Sequence, residues 1–262
     1  MRNISLRRLG MVLRRQRPGK VGITIYLGVF TLMFIVFRIM ESGFDNLSED
    51  MLRKGASEWI ETAWHIAPNL VCIATSNAFL MLQEKNTAYG YLMLPATMQE
   101  KFLAPILITT VGSIAGIIVS MVMADVLCSL LYYVLEPTAW VSGLPELWHL
   151  LALEESRIDG HIEWLGMLDS LSFYLWWHSV SVFCGAVFRK NALIFSCMVL
   201  LPLIPLLWIR SQLATEVAGG LYDSWTLPIA IVVAVLSCSF YIAAYRLFPR
   251  RTLVGHKTLA IL

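Results

Sequence analysis

VGITIYLGVFTLMFIVFRIM, residues 21–40, decides the fold class. It carries a single charge, Arg38, close to its end. A helix rises ~1.5 Å per residue, so a run of this length crosses a hydrocarbon layer of ~30 Å. Upstream, residues 1–20 hold seven basic residues and no acid, and the first acid is Glu41. A signal peptide would have an apolar stretch of only ~7–15 residues and a small-residue cleavage site after it. This run is longer and lacks such a site, so it reads as an uncleaved first span with a cytoplasmic N-terminus. Across all 262 residues, 58% are hydrophobic and 15% charged. An average soluble domain has ~25% charged residues. So apolar a chain cannot hide its surface in one globule, which excludes a soluble enzyme and a disordered chain. The expected class is an all-α polytopic membrane protein.

Five further apolar runs follow: Thr62–Leu82, Phe102–Leu135, Ser170–Phe188, Ala192–Ile209 and Leu227–Phe248. The 102–135 run is too short for two crossings and a turn, so it reads as one long helix or as a span with an interfacial stretch. Six spans place both termini on one side. With that side cytoplasmic, the inner segments 1–20, 83–101, 189–191 and 249–262, with Arg246, hold 15 of the 20 basic residues. This is the asymmetry expected of cytoplasmic loops. All nine tryptophans fall in outer loops or the outer halves of spans, as in an aromatic belt. The five cysteines lie inside spans, so no disulfide framework is expected.

Several chemistries are missing. The chain has no G-x-x-x-x-G-K-[ST] loop, no H-E-x-x-H and no G-x-S-x-G. Glu154-Glu155 is similar to the paired glutamates of CAAX-type membrane proteases, but Asp159 stands where that family carries an arginine. His149, His161 and nearby acids read as a solvated acidic loop rather than a metal cluster. No catalytic residue, metal site or cofactor of its own is expected.

Two cytoplasmic features stand out. In residues 1–17, Leu6, Leu9, Val12 and Leu13 share one helical face, and Arg7, Arg8, Arg14 and Arg15 the other. Such a helix is expected at the membrane surface, its apolar face in lipid and its arginines near anionic headgroups. Pro18-Gly19 ends it before the first span. The second feature is the segment LPATMQEKF, residues 94–102, between the second and third runs. Thr97 and Glu100 have capping-box spacing, and Pro95 favours an extended Leu94. The chain should turn sharply here and start a rigid helix.

This segment resembles the Leu-Pro-x-Ser/Thr…Lys stretch of ABC-2-type transporter permeases, the membrane subunits of type-2 ABC exporters. The amphipathic start, the six runs and the tight turn Phe188–Ala192 are similar to that family's layout over the whole chain. The resemblance implies that residues 1–20 form a cytoplasmic connecting helix and that 21–262 form the transmembrane domain. It further implies docking on a separate ATP-binding subunit through Leu94, Pro95, Ala96, Thr97, Glu100, Lys101 and Phe102, with Arg189 and Lys190 at the second inner turn. ATP and Mg would be bound by that partner. Two permease subunits, identical or different, would form the exporter in a bacterial inner membrane.

Polar residues inside the spans suggest a path. His65, Asn69, Cys72 and Ser76 fall on one helical face. That face lines a translocation path or bonds to neighbouring helices. Asp125, the one acid well inside an apolar run, pairs with Arg38 or Arg210, or serves as a substrate or proton site. Gly112-x-x-x-Gly116 offers a close helix contact. Short outer helices are expected over Leu144–Glu155 and Ser211–Trp225. Three readings remain open: an exporter permease, a non-transporting scaffold or sensor subunit, and an integral-membrane hydrolase acting through outer-face acids and histidines.

Overall fold

Long apolar runs punctuated by Pro, Gly and charge favour helices, and helices are what form. The structure, a computed structural model, describes residues 5–15, 20–42, 49–79, 90–135, 141–145, 160–188, 191–200 and 220–253. Among these residues there is no strand. Seven helices follow in order: α1 (Leu6–Arg15), α2 (Lys20–Ser42), α3 (Glu49–Ser76), α4 (Met98–Leu135), α5 (Gly160–Val187), α6 (Ala192–Leu200) and α7 (Gly220–Leu253).

Three of the described helices contain stretches long and apolar enough to cross a membrane: Ile23–Glu41, Met98–Leu135 and Leu227–Phe248. A shorter apolar stretch, Leu171–Val187, lies in α5. Of the run expected over Thr62–Leu82, the part up to Ser76 is the end of α3, which begins at Glu49 and carries His65, Pro68 and Asn69; residues 77–79 form a turn, and 80–82 lie outside the described residues. The 102–135 run is one uninterrupted helix, α4. The run at 192–209 is described only as far as Leu200, and most of Leu144–Glu155 and Ser211–Trp225 lies outside the described residues.

The chain forms two compact units. Unit 1 comprises Met1–Arg17, Val71–Val111 and Asp159–Leu262. In its core Phe79, Phe102 and Phe248 lie with ring centroids 5.4–5.7 Å apart. Helix α7 packs along α5, and α6 folds back against α5. The α5–α6 turn closes at Asn191, whose φ of 62° is a left-handed value that asparagine tolerates better than most residues. Across it Phe188 and Phe195 stack at 3.9 Å. Gly185 lies so close to α3 that a Cβ would fall 2.6 Å from the Ser76 carbonyl oxygen, so only glycine permits the approach.

Unit 2 comprises Pro18–Leu70 and Gly112–Ile158. Its core holds Leu52, Ala56, Cys128, Tyr132 and Val141, with Ile35 packed on it. The Phe34 ring meets Trp59 edge-on. Gly116 accepts the ring of Tyr26, which a Cβ would meet at 2.8 Å, whereas Gly112 faces open space. The expected small-residue contact is therefore made by one glycine of the pair, within the chain.

The outer faces of the long helices are apolar. Along α2, Ile25, Val29, Leu32, Val36 and Met40 form an exposed row at helical spacing, with Met40 73% exposed. Val111, Ile114, Ile118 and Val126 do the same along α4. Soluble monomers rarely leave such rows uncovered, and a bilayer covers them without cost. The long apolar helices mark a membrane-embedded protein, all-helical among the described residues.

Candidate functional site

The turn that starts α4 is built from local rules. Thr97 and Glu100 cap the helix reciprocally: the Glu100 N–H donates to Thr97 Oγ1 at 3.3 Å, and the Thr97 N–H donates to Glu100 Oε2 at 2.8 Å. Two of the helix's orphan donors are thereby satisfied. Pro105, one turn in, has no N–H for the Lys101 carbonyl, which would otherwise stay unpaired. The Tyr91 hydroxyl donates to that carbonyl instead. Lys101 Nζ reciprocates by donating to the Leu92 carbonyl at 2.6 Å. Residues 91 to 101 are thus closed on themselves, and Tyr91 and Phe102 are buried in the core of unit 1.

Glu100 does more than cap. Its Oε1 accepts the Ser5 N–H at 2.7 Å, and Arg8 Nε lies 3.2–3.3 Å from both oxygens. Ser5 opens α1, because its carbonyl takes the first helical hydrogen bond from the Leu9 N–H. One carboxylate thus caps α4 and sits at the positive N-terminal end of α1. The side chain is 0% exposed, covered by its own donors. It lies in the first turn of α4.

The structure corrects the expected orientation of α1. Val12 is fully buried, and Leu9 and Leu13 pack on the core of unit 1. The apolar face expected in lipid is covered by the protein itself, because Glu100 pins the first turn and unit 1 supplies an apolar seat. Arg7 and Arg14 point outward with Met11, and Arg8 is spent on Glu100. The side chain of Arg15 lies outside the described residues.

The docking set also divides. Glu100, Lys101 and Phe102 were expected on the docking surface, but all three are interior. Phe102 cannot serve as an exposed anchor, because it stacks on Phe79 and meets Tyr245 and Phe248. Leu94 and Ala96 are partly buried against the same core, and Thr97 is half-buried. What the turn presents outward is Pro95 and Met93, the latter 84% exposed. Sequence reading passed over Met93, although its place just before Leu94-Pro95 was the available signal. Arg189 and Lys190 lie outside the described residues.

The candidate path residues fall in both units. His65 and Asn69 belong to unit 2, and Ser76 to unit 1. Asn69 Nδ2 donates to the His65 carbonyl at 2.7 Å, and Ser76 Oγ to the Ile73 carbonyl at 2.7 Å, so each bonds its own helix. Asp125 is buried in unit 2 and ion-paired with Arg38. Sequence reading missed His178, which bridges Thr110 Oγ1 and the Tyr241 hydroxyl inside unit 1. A lone histidine in an apolar run was the only signal for it. Among the described residues no three His, Cys, Asp or Glu side chains are grouped to hold a metal ion.

No family model matches this chain, and neither does any curated protein or solved structure.

Proposed function

We propose that this chain is the permease subunit of an ATP-driven exporter of the ABC-2 type. In this reading it spans the bacterial inner membrane six times, with both termini cytoplasmic, and pairs with a second permease subunit. It carries no ATPase chemistry. A separate ATP-binding subunit binds ATP and Mg and docks on the turn that precedes α4.

The observation that carries this reading is the doubly committed Glu100. It fixes the start of α4 and the start of α1 together, and leaves Met93 and Pro95 exposed beside them. A coupling element must be rigid where it is pushed and connected to what must move. Thrust on Met93 and Pro95 reaches Tyr91 and Lys101 through two hydrogen bonds, and α4 delivers it along 38 residues. The exposed basic residues Arg7 and Arg14 suit the anionic headgroups beside that turn.

Met93→Asp tests the docking. An exposed apolar anchor in such a contact contributes ~2 kcal/mol or more, about thirtyfold in association. The full-length variant should fold normally, capture its ATP-binding partner at least about thirtyfold more weakly and stimulate ATP hydrolysis less. Unchanged capture and turnover would remove the turn as the coupling element.

A second reading, a non-transporting scaffold or sensor subunit, draws on one observation. Asn69 and Ser76 bond their own helix, and Asp125 is neutralised by Arg38, so none needs a substrate. Transport by the wild-type chain with its ATP-binding partner separates the two readings, and His65→Leu with Asn69→Leu then tests the path. Lost transport with normal folded yield supports a path, whereas unimpaired transport leaves the stripe structural.

A further inference from the structure

Helix α4 continues ten residues beyond Asp125, about 15 Å, before it ends at Leu135. The chain then comes back. At 141–144 it again lies beside Asp125: the Gly143 N–H donates to Asp125 Oδ1 at 2.9 Å, and Ser142 Oγ donates to Oδ2 at 2.6 Å. The Val141 carbonyl accepts Arg38 Nη2 at 2.9 Å and Ser129 Oγ at 2.7 Å. The Leu144 N–H closes the turn on Ser142 Oγ at 3.2 Å. Irregular backbone beside apolar helices needs its polar groups satisfied by protein or water, and here protein satisfies the Val141 carbonyl and the Gly143 and Leu144 N–H groups.

These attachments converge on one ion pair. Arg38 and Asp125 are each 1% exposed. The Arg38 guanidinium also lies over the Trp59 ring, 5.1 Å from its centroid, and Trp59 Nε1 donates to the Phe34 carbonyl at 3.0 Å. The returning segment adds one apolar side chain, Val141, to the core of unit 2. The helices are held by that core and by the pair, whereas the segment is held mainly by the pair. Gly143 closes the fit. A Cβ there would lie 3.0 Å from Ile60, 3.1 Å from Arg38 Nη1 and 3.2 Å from the Ala56 carbonyl oxygen.

We propose that Val141–Leu144 is a re-entrant lid latched on the buried Arg38–Asp125 pair, and that it opens as a unit while α2, α3 and α4 stay packed. Opening admits water to a charged pair that is otherwise dry. Closing needs both charges, because Asp125 takes the lid's two donors and Arg38 binds its carbonyl.

The test is amide hydrogen exchange on the full-length protein in lipid nanodiscs, comparing residues 141–145 with 121–135. In the wild type both segments should be protected. Arg38→Leu with Asp125→Leu removes the latch and leaves no buried charge unpaired. Exchange at 142–144 should then rise about a hundredfold or more, since at least two charge-assisted bonds are lost, while α4 stays protected. Gly143→Val keeps both charges and crowds the lid from its own side, so it should give the same pattern if the double variant fails to fold. Wild-type protection of the lid in either folded variant would overturn the proposal. So would loss of protection in α4 together with the lid, because the segment would then not be a separate moving part.

Discussion

Two buried carboxylates organise this protein in opposite ways. The Glu100 carboxylate in unit 1 finds one of its three partners, Thr97, within three residues and the other two at Ser5 and Arg8. The Asp125 carboxylate in unit 2 is held by Arg38, Ser142 and Gly143, all at least 17 residues away. Glu100 ends up covered by amide and guanidinium donors at the start of a helix. Asp125 sits mid-helix among apolar side chains, where an unpaired charge is far costlier. The carboxylate with a local partner can lose a contact and keep its helix. The one with only distant partners ties the 141–144 turn to α2 and α4.

The largest expected effect follows from that difference. Arg38→Ala or Asp125→Ala alone leaves a buried charge without its partner and should cost about 3–5 kcal/mol. The double Arg38→Leu/Asp125→Leu chain should recover most of this, because an apolar pair removes the desolvation penalty. Chemical unfolding of the full chain in detergent measures both. Single variants within about 1 kcal/mol of wild type would erase the contrast between the two carboxylates.

Glu100→Gln should act on one helix rather than on the whole unit. The amide can still accept the Ser5 N–H but loses the charge that holds Arg8, so α1 should detach while α4 stays formed. A spin label on Arg14→Cys reads this as increased mobility. Unchanged mobility of the label in Glu100→Gln would show that another contact holds α1.

Tyr91→Phe comes next. It strands the Lys101 carbonyl that Pro105 leaves without a donor, at a cost of about 1–3 kcal/mol for a buried unsatisfied group. Pro105→Ala restores a backbone donor and should rescue much of the loss, which thermal unfolding of single and double variants would reveal. The absence of rescue would mean that Tyr91 stabilises the turn by packing alone. The smallest effect is Thr97→Ala, about 1 kcal/mol. Thr97→Ser should be close to neutral. Local exchange at the first amides of α4 measures it, because Glu100 keeps its remaining partners.

What could be read from the residues was whatever depends on neighbours in the chain. The apolar runs gave an all-helical membrane protein, because burying backbone polar groups in lipid leaves few alternatives to a helix. The Thr97/Glu100 spacing gave the cap, because both partners lie within one turn. Pairing of Asp125 with a basic residue at a helix end was also foreseeable, since an isolated buried charge is too costly to leave alone. Only the tertiary structure chose Arg38 as that residue and added Ser142 and Gly143 to the same carboxylate. It alone turned the apolar face of α1 onto the core, since amphipathicity shows that a face must be covered but not what covers it. It also made Phe102 interior and left Met93 outside, because two apolar residues on either side of a turn look alike until the rest of the core is in place.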